Sequence, residues 1–248
     1  MNQINMTRLI QEINNDTAVL LQENDIQPIS IDGYKAYLET GNRLMFESEY
    51  FNRRRQLVTL ALYVVINSDP KETIALLEQV IWEVCNEYSW ALPAHLEKTS
   101  DSTFSSNSPS MIDLFAAETA QTLSEIREIL QYHLSKFIIE RIEYEIENRI
   151  LKPFESRPWT WERLDNNWSS VIASCIGMTS LSLMDKDSPR LHAILDRLDQ
   201  SFYAYFSSFS DDGVCEEGIS YWTYGFGYYC YFAEKYQRIF NDEKYTKN

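Results

Sequence analysis

A chain of 248 residues can bury a large core as one domain or two. Hydrophobic residues at 44%, charged residues at 24%, and only seven Gly and seven Pro argue for a soluble globular protein and against an all-β fold. A formal charge of −15 argues against nucleic acid as a partner, and no apolar run reaches the roughly 18 residues of a membrane span.

From the N-terminus, the periodicity of apolar residues predicts helices. The opening segment has no basic start followed by an apolar block, so no secretory signal is read and the chain is expected in the cytoplasm. Residues 7–23 are helical, 28–33 form a loop, and 34–44 make a short helix. Residues 46–66 form a strong helix carrying Arg53, Arg54 and Arg55. Asp69 and Pro70 stop it and start the next helix, 71–88. Pro93 and His95 lie in a loop, and a Ser-rich connector runs to 110. A long helical region follows over 113–132 and 134–150, ended by Pro153 and Pro158. Residues 157–168 form a loop rich in Trp and amide side chains. The small, apolar segment 171–184 suits a tightly packed inner helix, and 189–206 an amphipathic one. A last helix ends near Phe240.

The stretch from Ser207 to Glu234 organises the rest. A polar turn, Ser210-Asp211-Asp212-Gly213, leads to Glu216, Glu217 and Gly218, then to a run of aromatic residues from Tyr221 to Phe232. Gly225 and Gly227 interrupt the helical pattern at about 1 kcal/mol each, which suggests a close backbone approach or room for aromatic rings. So many phenol groups in one segment imply some exposure to water.

Cys85, Cys175, Cys215 and Cys230 form no CxxC pair, and His95, His133 and His192 are scattered. No metal-ligand spacing and no cofactor is implied, and reduced thiols are expected.

The residues DGVCEEGISYWTYGFGYYCYFAE resemble the DG-x(3)-EG-x(2)-YW-x-YG segment of heparinase II/III-like polysaccharide lyases. Asn166-Asn167-Trp168 and the small-residue helix after it are similar to that family's NNW stretch. WALPAH at 90–95 and YFNRRRQLVTLAL at 50–62 resemble further segments. The resemblance implies an all-α fold: an incomplete (α/α) toroid of antiparallel helical hairpins over 1–248, a single domain cut short on its C-terminal side and lacking the family's β-sandwich. It implies β-elimination on an acidic polysaccharide containing uronic acid, of the heparan sulfate or alginate type, with doubtful activity for this chain alone. Apolar surface left uncovered by missing helices would favour a homodimer.

Such chemistry needs a donor that neutralises the substrate carboxylate, which an Asn amide supplies without a charge. It also needs a proton acceptor and donor, a task open to a tyrosine whose pKa is lowered by cations. By resemblance, Asn167 or Asn166 is the neutraliser and Tyr221 the base, the acid or both, with Tyr224 as the alternative. Trp168, Trp222, Glu217, His95 and Arg163 are candidates for substrate binding.

Each has a structural alternative. Residues alone favour an aromatic core stripe for Tyr221 and Tyr224, and the DG and EG pattern reverses that preference. An Asn before a helix is a good N-cap, so one of the pair is expected to cap while the other is free. Glu217 can order its turn, His95 can be a satisfied loop residue, Trp168 can pack, and Arg163 can be solvated. Two other functions compete: a non-catalytic carbohydrate-binding domain and a helical interaction scaffold. The scaffold is weakened by the lack of a fixed repeat. A glycoside hydrolase would rely on Asp212 and Glu217, too close in sequence to persuade.

Overall fold

The computed structural model describes residues 3–67, 70–101, 103–210, 213 and 218–246. Among them the chain is helical, with no β-strand and one isolated bridge, Lys98 to Phe104. No helix among them is long and apolar enough to cross a membrane. Asp69, expected with Pro70 to start the helix over 71–88, lies outside the described residues.

The chain forms two compact units, one of Met1–Pro109 with Ile126–Glu145, the other of Ser110–Glu125 with Ile146–Asn248. The first holds α1 (Gln3–Glu23), α2 (Ile31–Thr40), α3 (Leu44–Ile66) and α4 (Lys71–Asn86). The unit boundary runs through α5 (Leu114–Leu130), and α6 (Lys136–Ile146) returns to the first unit.

In the first unit α3 and α4 bury Leu57, Leu60, Leu77, Val80 and Ile81. The α2 helix starts three residues earlier than its sequence suggests and ends at Gly41, whose left-handed φ of 74° forms the C-cap. Gly33, expected in a loop, sits in the first turn of α2. A Cβ there would lie 2.9 Å from the Phe46 Cα, so the missing side chain is what lets α2 meet α3. After α4 the chain is pinned by Trp90, which is 1% exposed. Its indole donates to the Val84 carbonyl and its own carbonyl accepts from the Tyr50 hydroxyl, both at 2.8 Å.

The second unit contains α7 (Lys152–Ser156), α8 (Asn167–Leu183), α9 (Pro189–Phe206) and α10 (Ile219–Phe240). Pro153 does not end the preceding helix. A π-helical turn, Glu147–Leu151, carries the chain into α7, where proline occupies one of the first two positions and its missing N–H costs nothing. The chain leaves the helix at Arg157, held extended before Pro158.

The α8 helix is buried from Ser169 to Leu181, the all-round burial its small, apolar sequence predicts. Along α8 and α10 the contacts climb together. Ser170 Oγ donates to the Gly225 carbonyl at 2.8 Å, Gly177 faces the Phe232 ring, and Lys235 Nζ reaches Ser182 Oγ at 2.6 Å. The two helices therefore run in the same direction. α5 runs with them, since Glu118 meets Tyr224 and Glu125 lies 3.7 Å from Lys235. α9 runs the other way, its His192 beside Phe240 and its Phe206 beside Phe226. The chain after α10 folds back, placing Tyr245 among Phe202, Phe232 and Tyr236, with its hydroxyl 2.7 Å from Asp199.

Candidate functional site

Because α8 and α10 are parallel, their first turns lie at the same end of the second unit. That end carries Asn166, Asn167 and Tyr221, with Tyr224 one turn further along α10.

The segment before α8 is built around Glu162 and Arg197. Glu162 is 7% exposed and accepts the Trp159 N–H at 2.5 Å. Arg197, from α9, binds both Glu162 oxygens at 2.8 and 2.7 Å and donates to the Phe154 and Arg157 carbonyls. Ser169 Oγ adds a bond to the Trp161 carbonyl at 2.7 Å. The segment thus delivers Asn166 in an extended conformation, where its Oδ1 accepts the Trp168 N–H at 3.1 Å as the N-cap of α8.

Asn167 is not the open residue expected beside the cap. It is 3% exposed and engaged in the packing. It precedes Ser170 by three residues, on the face of α8 that meets α10. Trp168 is half-buried.

On α10, Gly218 serves as N-cap with φ 93°, a conformation that suits glycine. Tyr221, Tyr224 and Tyr228 share one stripe. Tyr221 is 53% exposed. One turn further in, the Tyr224 hydroxyl donates to Glu118 Oε1 at 2.5 Å, and the Tyr228 hydroxyl also acts on that carboxyl. The two phenol rings meet edge to face at 5.4 Å.

Burial, then the Glu118 charge, push the Tyr224 phenol far above its ordinary range. The Glu118 carboxyl is itself raised by burial, against the two tyrosine hydrogen bonds that lower it. Cys175, fully buried on α8, is raised by burial and by Glu118 and Glu125. The charges acting on Tyr224 all oppose its ionisation. This is opposite to the cationic surroundings expected of a proton-abstracting tyrosine, and it suits a phenol that keeps its proton.

Trp222 sits on the adjacent stripe. It is half-buried and stacks on Phe226 at 5.2 Å, which in turn meets Phe206 of α9. Arg163 is exposed at the end of the Thr160–Arg163 turn. His95 belongs to the first unit, half-buried on the Pro93–His95 turn. Glu217, together with Asp212, Cys215 and Glu216, lies outside the described residues.

Glu118 escapes a reading by motif, being one acid in a helical stretch whose partner is 106 residues away. Its one trace in the sequence is the seven-residue spacing that puts Glu118 and Glu125 on the same side of α5. Among the described residues no cluster of three or more His, Cys, Asp or Glu is arranged to hold a metal ion. No family model and no curated protein matches the chain.

Proposed function

We propose that the chain is the helical part of a polysaccharide lyase that cleaves uronic-acid polysaccharides of the heparan sulfate or alginate type by β-elimination. The observation that carries this reading is the common direction of α5, α8 and α10 with α9 reversed. Parallel inner helices with returning outer helices are the pattern of an incomplete (α/α) toroid, the fold that the DG, EG and NNW segments suggest. It brings Asn166, Asn167 and Tyr221 to one end.

On this reading Tyr221, the exposed phenol, meets the sugar. As phenolate it takes the proton beside the carboxylate. The released electron pair forms the C4=C5 double bond and expels the glycosidic oxygen, which recovers the proton from Tyr221. Asn166 uses Oδ1 for its cap, so its Nδ2 donors remain to neutralise the substrate carboxylate. Tyr224, held protonated on Glu118, supports the stripe from behind. The test is the absorbance of the unsaturated uronate on heparan sulfate, alginate and chondroitin sulfate. A rise with one of them is expected from the longest available gene product, and no rise from it with any would sink the reading.

A second reading, carbohydrate binding without turnover, is favoured by the closure of Asn167 and by the charges opposing ionisation of Tyr224. Binding of the same polysaccharides without a change in absorbance would distinguish it.

A further inference from the structure

The first unit contains a polar hollow of about 510 Å³ between the connector after α1 and the face of α3, within the range of small-ligand pockets. Its wall includes Arg53, a residue only 4% exposed. The Nη2 of that guanidinium donates to the Gln27 carbonyl. Its Nε and Nη1 are buried and have no hydrogen-bond partner. A buried guanidinium with two idle nitrogens is expensive, since each unmade bond forfeits its desolvation cost. Burial accordingly pulls the Arg53 pKa down, and the charges of Glu87, Glu83 and Glu49 only partly oppose this.

The rest of the wall has the opposite sign. Glu49 spends both oxygens on Ser30, at 2.8 and 3.0 Å, which fixes the connector over α3. Glu23 and Asp25 stand exposed on the rim, and Gln56 lines the interior. A simple anion would satisfy Arg53 but meet the rim carboxylates. A simple cation would suit the rim but meet Arg53. A small molecule with a negative end inward and a positive end outward complements both.

We propose that this hollow binds a small zwitterion of the amino-acid class, its carboxylate on the Arg53 guanidinium and its ammonium group toward Glu23 and Asp25. The inference is independent of the lyase reading.

The test is thermal unfolding and titration calorimetry of the full chain with three probes: an equimolar mixture of the proteinogenic amino acids, succinate, and putrescine. The amino acids should raise the melting temperature saturably, and the other two should not. Arg53→Met should weaken amino-acid binding about thirtyfold or more, as expected when one partner of a buried charge pair is removed. Should that variant not fold, the exposed-rim variant Glu23→Gln/Asp25→Asn carries the test. It should lose the amino-acid response and gain one to succinate. Equal shifts with succinate and amino acids in the unaltered protein would overturn the proposal, as would a putrescine shift, no shift with any probe, or a rim variant that behaves like the parent.

Discussion

The Tyr224 hydroxyl donates to Glu118 Oε1 across 2.5 Å, tying α10 to α5 at half-buried positions where neither group gives up its proton easily. The raised carboxyl makes a definite prediction for pH dependence. Folded Glu118 keeps its proton where the unfolded chain releases it, so its contribution to stability is full below the unfolded value, about 4.3. That contribution is lost as pH rises through the folded value. Urea unfolding at a series of pH values should therefore show Glu118→Gln losing less stability than the parent between pH 4 and neutrality. Tyr224→Phe removes a bond that lowers the carboxyl, so it should steepen the loss and cost about 1–3 kcal/mol at neutral pH. Identical pH profiles for all three proteins would show that the contact carries no proton linkage.

The two glycines of α10 should respond to alanine in opposite directions. A Cβ on Gly225 would lie 2.6 Å from the Tyr205 hydroxyl, whereas nothing lies within 4 Å of one on Gly227. Gly225→Ala should thus destabilise by the cost of overpacking, about 1–3 kcal/mol, reduced by the better helix propensity. Gly227→Ala gains the propensity, up to about 1 kcal/mol, with no clash. The midpoints of chemical unfolding check both signs.

Arg197 should control the segment that presents Asn166. Its guanidinium serves Glu162 and two carbonyls at once and covers the Phe154 ring at 4.1 Å. Lysine keeps the charge and loses the planar fork. Arg197→Lys should cost about 1–3 kcal/mol, from the carboxylate and carbonyl bonds that a single ammonium cannot keep. It should also raise hydrogen exchange at the amides of residues 157–166 while leaving those of α10 unchanged.

How much of this was legible in the sequence depends on the range of the forces involved. Local signals served well. The bounds of α9 coincide with an amphipathic stretch opened by Pro189, and α8 shows its burial in its small residues. That one of Asn166 and Asn167 caps α8 follows from their type and place, and the Trp168 N–H gives that role to Asn166. Pro153 misled because a proline usually breaks a helix, and the π-turn that accommodates it leaves no pattern in the residues themselves. Gly33 reads as loop punctuation, yet its role is a contact with Phe46, thirteen positions on. The candidate site was legible only where it is local. Tyr221 and Asn166 sit at helix starts, whereas the Glu118 partnership and the burial of Asn167 arise from which helices pack side by side. The same holds for Trp222, which one stripe of difference on α10 sends into the aromatic cluster with Phe226.

Tyr221→Phe separates the functional readings most sharply. Tyr221 is 53% exposed on the first turn of α10, so losing its hydroxyl should move the melting temperature little. If Tyr221 both takes and returns the proton, the variant should lose β-elimination by a factor of about 100 or more, the lower range for acid–base groups, while still binding the polysaccharide. Asn166→Asp offers the companion measurement. Its carboxylate can still accept the Trp168 N–H, so the cap survives, but it adds a negative charge where the substrate carboxylate should be neutralised. It should therefore weaken both binding and turnover, and raising the salt concentration should recover part of the binding. Polysaccharide binding unchanged in both variants, with no cleavage by the parent, would leave the stripe of tyrosines as a packing feature of α10.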